Sequence, residues 1–466
     1  MRPGQVRSLD LILTTRCNLS CRYCYQTVRR RRRMDWEIIQ ASIDLLLSSP
    51  HRQVDLLFVG GEPLLEFPAI QAAVDYAERN RPADKRFKYK ISTNGTLVTD
   101  EIAAFLAEHR FYTQLSFDGV RAAQAFRDDA TFETLDRLLT SLRKEHPRFY
   151  HTDLVAAVTL IPPAVRYLAD SVEYFLVRGV SKIAITPSIM PYPGWAGDAI
   201  DELDAQFSRI FESSLRHLER TGEVPLVLFR DGEERRATGD TAEVEPSTRT
   251  ASDSRFVSGA TGAEGDPPSG SDAGRVADPR SPAGTRMMCR IVPNVIPCVD
   301  VDGRAYHCGL FAESMHEFRS PLLGGCLATM CMGDIRDPEF HERNERFHEA
   351  VGGLPIFACK ERKRSTYGRC ADCRHFDVCA ICPVSIGYME GNDDPDRVPD
   401  FYCAYNLVSL DYRNRFPVRP SLRQRVLGEP YRDEMERWGV IARAVRKVRE
   451  TEVLTSAEEG GVRGGT

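Results

Sequence analysis

The sequence predicts an α/β protein: a partial (β/α)6, TIM-like barrel followed by a small cysteine-rich domain with a β-hairpin. Three observations predict it. Short apolar runs alternate with helical periods from residue 9 to about 228, the pattern of βα units around a parallel sheet. Residues 229–286 then lose nearly all large apolar side chains. The 14 cysteines fall into an N-terminal triplet and a dense C-terminal group.

The strands are expected in LDLILT (9–14), VDLLFV (54–59), RFKYKIS (86–92), YTQLSF (112–117), LVAAVTL (154–160) and KIAITP (182–187). The segments between them read as helices. In DWEIIQASIDLLLSS, Trp36, Ile39, Ile43, Leu46 and Leu47 fall on one helical face, Asp35 is placed to cap the start and Pro50 follows the end. Residues 1–228 therefore form the first domain. No Leu, Ile, Met, Trp or Tyr occurs between Asp231 and Thr285. Such a composition does not repay the entropy of ordering, so 229–286 reads as a flexible linker or insertion. Residues 287–415 form the cysteine-rich domain, and 416–466 a helical segment with a polar tail.

Composition narrows the function. The chain is 42% apolar and 28% charged with a net charge of −5, so no global basic excess points to nucleic acid or an anionic membrane. No window approaches the ~20 apolar residues of a membrane span, and no secretory signal is evident. A cytoplasmic location is the expectation. In a reducing compartment, clustered cysteines indicate metal binding or catalysis rather than disulfides. Three lie within residues 17–24, none between 25 and 288, and the other eleven from 289 to 403.

Cys17, Cys21 and Cys24 follow the first strand directly, in TTRCNLSCRYCYQ. A structural zinc site takes four protein ligands. A [4Fe–4S] cluster held by three cysteines leaves one iron open to an outside ligand. The second strand ends in Gly60-Gly61-Glu62-Pro63, where two glycines permit close backbone approach and a carboxylate suits an ammonium. The third ends in ISTNGTL (91–97) and the fourth in LSFDG (115–119). For Ser92, Asn94 and Asp118 the alternative is plain turn chemistry after a strand. Strand C-terminal ends are where barrels and open sheets bind ligands.

CxxxCxxC with Tyr23 before and Tyr25 after its last cysteine, followed in order by GGEP, STNG and SFDG, resembles the radical S-adenosylmethionine (SAM) superfamily. The resemblance implies a [4Fe–4S] cluster on Cys17, Cys21 and Cys24. It implies SAM on its open iron and SAM contacts from Tyr23, Gly60, Gly61, Glu62, Pro63, Asn94 and Ser116. Arg127 lies about one residue from the position of a family arginine that meets the SAM carboxylate. The family's adenine contact falls near Thr159–Ile161. The arginine run 29–33 reads as a solvated loop or as an electropositive rim for an acidic or anionic partner.

CADCRHFDVCAIC (370–382), with CRIVPNVIPCVDVDGRAYHC (289–308) upstream and Cys403 downstream, resembles the SPASM domain of some radical SAM enzymes. That resemblance implies two auxiliary [4Fe–4S] clusters, one on Cys370, Cys373, Cys379 and Cys403. The other takes Cys289, Cys308 and Cys382, with Cys298 as a further candidate. The spacing from Cys379 to Cys382 is one residue shorter than the family's, which leaves a complete cluster, an open iron or an absent cluster as alternatives. A two-residue Asp302-Gly303 hairpin turn pairs Cys298 with His307 and puts Cys298 and Cys308 on opposite faces; a bulge or longer loop restores a common face. Cys326, Cys331 and Cys359 read as small core residues. Zinc is the competing occupant of CxxC…CxxC.

By family analogy, the activity is reductive cleavage of SAM to a 5′-deoxyadenosyl radical and oxidative modification of a ribosomally made peptide or protein. A flavodoxin- or ferredoxin-like donor supplies the electron. The alternatives are formylglycine formation, as in anaerobic sulfatase maturases, a small-molecule substrate, or a non-catalytic metal-binding peptide scaffold. Gly309 stands where the sulfatase maturases place an aspartate base, leaving Asp300, Asp302 or Glu313 as substitutes. No general base is assigned. A first strand so near residue 1 predicts either a separate leader-peptide-binding protein or direct substrate capture.

Overall fold

The computed structural model describes residues 6–28, 31–230, 296–317, 320–337 and 347–417. Cys289 and residues 231–286 of the expected linker lie outside the described residues, as does all but the start of the 416–466 segment; Phe229, at the linker's expected start, is instead buried and stacks on Phe416 at 4.4 Å.

Six parallel strands form in the expected places: β1 (Ser8–Thr14), β2 (Gln53–Gly60), β3 (Arg86–Thr93), β4 (Tyr112–Ser116), β5 (Leu154–Leu160) and β6 (Ile183–Pro187). Helices α1 (Trp36–Ser48), α2 (Phe67–Asn80), α3 (Asp100–Glu108), α4 (Arg121–Asp128), α5 (Phe132–Glu145), α6 (Pro147–Thr152), α7 (Leu168–Arg178) and α8 (Ile200–Thr221) occupy the crossovers. Alternation decides each strand's faces. Leu9, Leu11 and Leu13 of β1, and Leu56 and Phe58 of β2, are buried in the main core, along with helix residues such as Ile39, Ile43 and Ile70. The intervening Asp10, Asp55, Lys88 and Lys90 are half-buried on the opposite, inner face. That lumen is charged, and Lys90 pairs with Asp55 at 2.7 Å.

α1 corrects one expectation. Its buried face is Ile38, Ile39, Ser42, Ile43 and Leu46. Trp36 is 40% exposed and stands edge-on to Tyr76 at 5.8 Å. The first turn starts the helix at the rim, where a bulky ring covers a neighbouring helix instead of entering the core. Asp35 is the N-cap residue, but its side chain makes no capping bond.

The sheet continues beyond the barrel. Its order is β6-β5-β4-β3-β2-β1-β7-β8-β9, with β7 (Cys298–Val299), β8 (Arg304–Tyr306) and β9 (Cys331–Asp334) from the cysteine-rich region. β7 runs parallel to β1 with Asp10 opposite Cys298. The β7–β8 hairpin has a three-residue turn, not two: Cys298 pairs with Tyr306 and Val299 with Ala305. Gly303 takes a φ of 93° there, which suits glycine. This register corrects the expected Cys298–His307 pair. Cys308 lies two residues beyond the partner of Cys298, so both point to one face.

The C-terminal helix Asp400–Arg415 packs on the barrel rather than standing apart from it. Phe207 of α8 lies 5.9 Å from Tyr405, and the Tyr405 hydroxyl donates to the Ile185 carbonyl at 2.6 Å. A second core gathers Ile12, Cys298, Tyr306, Phe311, Ile381 and Val384 on the other side. Among the described residues no helix is long and apolar enough to cross a membrane.

Candidate active site and cysteine centres

The loop after β1 carries Cys17, Cys21 and Cys24 at the C-terminal end of the parallel sheet. It is anchored from beneath by the end of β2. Gly61 N donates to Thr14 O and Glu62 N to Arg16 O, both at 2.8 Å. The fit leaves no room for side chains. A Cβ on Gly60 would lie 2.3 Å from Thr14 O, and one on Gly61 2.2 Å from Arg16 O. Gly60 also holds a φ of 143°. The two glycines thus admit the cysteine loop's own backbone, where the sequence suggested approach to a ligand.

Glu62 is enclosed beneath the loop. It is 1% exposed, and its carboxylate accepts from Leu64 N (3.1 Å), Thr93 Oγ1 (2.7 Å) and Asn94 N (2.7 Å). Burial pushes its carboxyl up, while these three donors hold it down. Its oxygens brace the β3 end against the β2 end. Pro63 opens the short 3-10 turn Pro63–Glu66 that follows. Asn94 is likewise a tie: its Nδ2 donates to Asn18 Oδ1 at 2.9 Å, and Asn18 Nδ2 reaches Thr96 Oγ1 at 2.8 Å. The STNG turn therefore grips the cysteine loop from the side. Ser116 ends β4 half-buried, with a hydroxyl that has no partner among the described residues.

Behind the loop lies a buried polar knot. Asp118 takes both Arg127 nitrogens, Nη2 at 3.0 Å and Nε at 3.2 Å. It also accepts the Thr159 amide at 2.9 Å and the Tyr23 hydroxyl. The Arg127 guanidinium lies 5.4 Å from the Tyr23 ring centroid. A bidentate pair this dry needs such satisfaction to exist. Arg127 is thus committed to Asp118, with Thr159 at 3.4 Å, instead of standing free for a carboxylate ligand. Burial pushes the Cys21 thiol up to about 11; Arg127 pulls it back, and the Cys24 and Cys17 thiols push it further. These three sulfurs feel one another. Cys17 Sγ also accepts the Leu19 amide at 3.4 Å. Among the described residues, no three His, Cys, Asp or Glu side chains close on a single-ion position. A [4Fe–4S] cluster puts each thiolate on its own iron, so it fits sulfurs spread around a loop. The described arginines of the 29–33 run, Arg31 to Arg33, are exposed, and the Arg32 carbonyl accepts from Thr15 N at 3.0 Å.

Cys370, Cys373, Cys379 and Cys403 come together. The Cys403 thiol is pushed up to about 12 by burial, lowered by the Ser365 hydrogen bond, and raised by Cys370, Cys379 and Cys373. Three of the four sulfurs accept hydrogen bonds: Cys403 from Ser365 Oγ (3.1 Å), Cys379 from Asn406 Nδ2 (3.3 Å) and Cys373 from His375 N (3.4 Å). Sulfurs surrounded by donors suit thiolates on iron. Cys298 and Cys308 are also neighbours, and Cys298's thiol is pushed well up by burial, then by Asp10 and Cys308. Cys308 and Cys382 pack on the same apolar cluster as Cys298. Cys326 is buried there too, donating to Leu322 O at 3.1 Å, as a core thiol does. Cys331 lies in β9 opposite Tyr306, and Cys359 takes a φ of 55° at the start of a 3-10 turn.

The proposed substitutes for a base are engaged. Asp300 is fully buried and accepts from Ser314 N (3.0 Å), Val301 N (2.7 Å) and the Ser314 hydroxyl. Glu313 binds Arg304 Nη1 at 2.5 Å and the Tyr306 hydroxyl at 3.0 Å. Asp302 accepts the Arg304 amide at 3.1 Å.

Two features had no sequence signal. Asp10, in the lumen, has its carboxyl pushed up to about 7 by burial, with Lys90 pulling down and Asp55 pushing up. His316 stacks on Tyr25 at 5.7 Å, with its Nδ1 3.1 Å from the Tyr388 hydroxyl, and so joins the cysteine loop to the C-terminal region. Burial lowers His316 to about 4, leaving it neutral. Beside it opens a cavity of about 690 Å³ lined by Thr27, Met190, Glu317, Tyr388, Glu390 and Asp393 among others.

A half-open parallel barrel with a three-cysteine loop at its mouth defines a class. Residues 11–160 match the Radical SAM superfamily. It is 33% identical over 183 residues to an uncharacterized protein of Methanocaldococcus jannaschii, covering 38% of this chain and 62% of that protein. It is 25% identical over 145 residues to the radical SAM cyclopropyl synthase TigE of Paramaledivibacter caminithermalis, 27% of this chain and 30% of that enzyme. The cysteine-type anaerobic sulfatase-maturating enzyme of Clostridium perfringens is 30% identical over 117 residues, 22% of this chain and 30% of its own length. The chain thus matches less than two thirds of each of these relatives. Among solved structures, native anSMEcpe with bound AdoMet and Kp18Cys peptide shares the fold, with a TM-score of 0.59 and 17% identity over 88% of this chain and 97% of that one.

Proposed function

We propose that this chain is a radical SAM enzyme that oxidatively modifies a ribosomally made peptide, by a crosslink or another side-chain or backbone change. The docking of Gly60 and Gly61 onto Thr14 and Arg16 carries the proposal. It fixes a three-thiol loop at the mouth of a parallel sheet with a fit only glycine allows. When bound, a [4Fe–4S] cluster on Cys17, Cys21 and Cys24 supplies the electron that cleaves SAM to methionine and a 5′-deoxyadenosyl radical.

The chain's own residues do the rest. Backbone groups of Gly60–Pro63 and the Ser116 hydroxyl face the nucleotide. Glu62 and Asn94 hold the second and third strand ends against the loop, and Asp118 and Arg127 lock Tyr23 behind it. The cavity beside Tyr388 receives the peptide. Cys370, Cys373, Cys379 and Cys403 hold one auxiliary cluster; Cys298, Cys308 and Cys382, with Cys289, hold another, in a SPASM-like region. A flavodoxin- or ferredoxin-like protein is the electron donor, and a separate leader-binding protein or direct capture brings the substrate.

Formylglycine formation is the less favoured chemistry. Gly309 follows Cys308 and brings no carboxylate, and a Cβ there would lie 2.8 Å from Cys298 Sγ, so an aspartate would require that side chain to shift. Anaerobically reconstituted protein, reduced and given SAM, is expected to release 5′-deoxyadenosine, and Cys17→Ala, Cys21→Ala and Cys24→Ala to release none. Iron-loaded wild type that yields no 5′-deoxyadenosine overturns the proposal. Mass spectrometry of a peptide encoded beside this protein then reads the modification; loss of two hydrogens means a crosslink or dehydrogenation.

A further inference from the structure

The surface around the first cysteine loop is basic, in a chain whose net charge is −5. Arg16, Arg22, Arg31, Arg32 and Arg33 are all exposed there. Among the described residues Arg16 alone of these has a carboxylate partner, Glu66 at 3.5 Å. The next acidic residues along the chain are Asp35 and Glu37, and Glu37 lies in the field of Arg336. Arginine is therefore in excess. The run is also fixed in place. Thr15 N donates to Arg32 O and Arg32 N to Thr15 Oγ1, both at 3.0 Å, and Thr14 bridges Arg33 in the antiparallel sense. Met34 N then donates to Leu13 O at 2.7 Å, and Met34 is buried. These bonds lay Arg31–Arg33 along the end of β1, the strand that runs into Cys17. Cys17 is exposed, whereas Cys21 and Cys24 are half-buried.

We propose that Arg31, Arg32 and Arg33, with Arg22, form the docking surface for an acidic electron-carrier protein, which seats beside the exposed Cys17 edge of the first cysteine centre. The proposal rests on the assignment of Cys17, Cys21 and Cys24 to a cluster that takes its electron from outside. One electron leaves the carrier's reduced cofactor and enters the oxidised cluster; no proton or bond moves with it. The other occupant a basic surface suits is an acidic peptide. The cavity assigned to the peptide is lined by Glu317, Glu390 and Asp393, so an acidic peptide meets like charge there. The two openings thus differ in sign, and the basic one lies at the thiol most open to solvent. Arginines on a surface without a deep apolar anchor suit a brief, charge-steered encounter, the kind that electron carriers make. Such steering raises association by roughly 10- to 1,000-fold. It fades as salt shortens the screening length from ~30 Å at 0.01 M to ~10 Å at 0.1 M.

The test uses reconstituted full-length protein and purified flavodoxin as the acidic carrier. Arg31→Glu, Arg32→Glu and Arg33→Glu are combined in one variant; the bonds of Arg32 to Thr14 and Thr15 use its main chain and are kept. Calorimetry measures binding of oxidised flavodoxin. Chromatography measures 5′-deoxyadenosine released with reduced flavodoxin or with dithionite, which needs no docking. At low ionic strength the variant is expected to lose about tenfold or more in both affinity and flavodoxin-driven rate. The gap should close at high salt, and the dithionite-driven rate should match wild type. The triple Arg→Lys variant keeps the charge and should stay near wild type. The triple Arg→Gln variant serves if the Glu variant loads less iron. Wild type that binds no flavodoxin at low salt overturns the proposal, as do unchanged affinity and rate in the charge-reversed protein. A defect confined to peptide modification, with flavodoxin-driven release intact, gives the surface to an acidic peptide and also overturns it. Iron-loaded wild type that releases no 5′-deoxyadenosine with dithionite instead fails the radical SAM reading, and the binding measurement still decides the surface.

Discussion

Gly61→Ala is the sharpest test of how the first cysteine loop is held. The added methyl would sit 2.2 Å from Arg16 O, 2.6 Å from Arg16 C and 3.1 Å from Cys17 N. Relaxed contacts of this kind need about 3.5 Å, so the β2 end and the loop must part by more than about 1 Å. That movement breaks the Gly61 N–Thr14 O and Glu62 N–Arg16 O bonds, both 2.8 Å long. At roughly 1 kcal/mol each, their loss destabilises the chain by about 2 kcal/mol. The chemical cost is larger, because a displacement of ~1 Å at a reacting centre costs on the order of 100-fold in rate. The variant should fold, melt a few degrees lower, bind less iron at Cys17, Cys21 and Cys24, and form 5′-deoxyadenosine about 100-fold more slowly. Thermal melting, iron analysis and chromatography of the nucleoside measure these in turn. A Gly61→Ala protein with wild-type iron and wild-type nucleoside yield would refute the close-approach argument.

Arg127→Met leaves Asp118 buried without its cation, and breaking such a pair costs about 3–5 kcal/mol, read as a lower denaturant midpoint. Asp10 gives a pH signature. Its folded pKa, about 7, lies above its ordinary 3.8, so its contribution is complete below pH ~4 and is lost as pH rises through ~7. The swing is at most about 4 kcal/mol. Asp10→Asn should flatten the decline in stability between pH 4 and 7 measured by urea unfolding, and an unchanged slope would count against a buried protonated carboxyl. Cys370→Ala and Cys403→Ala should each lower the iron content by about four atoms per chain, while Cys326→Ala should not.

The barrel was legible because each of its strands is a short apolar run whose alternate residues have two different fates. Leu9 and Leu11 enter the core, while Asp10 between them faces a charged lumen. The cysteine loop and the three strand-end motifs that follow it were legible because ligand chemistry needs fixed residues at fixed spacing. What the motif residues do was less so. Glu62 and Asn94 are written in the same letters whether they touch a nucleotide or another loop, and only long-range geometry separates the two. The hairpin failed by one residue, since the choice between two- and three-residue turns depends on whether Val301 joins the strand or the turn. Lys360 and Lys363 sit in KERKR, a run that reads as a solvated face, and only their burial reveals otherwise. The pairing of β7 with β1 joins residues nearly 290 positions apart in sequence, beyond the reach of any local pattern.

That pairing bears most on function. Because β7 extends the sheet from β1, Cys298 is placed opposite Asp10, on the strand that delivers the first cysteine loop. The same junction is tied twice more: Thr27 N and Val28 N donate to Met315 O at 2.9 and 3.1 Å, and Tyr25 stacks on His316. The two cysteine regions are thus built on one hydrogen-bonded frame. On the proposed function, a frame of that kind keeps the two cysteine regions at a fixed separation, and two domains on a flexible tether could not.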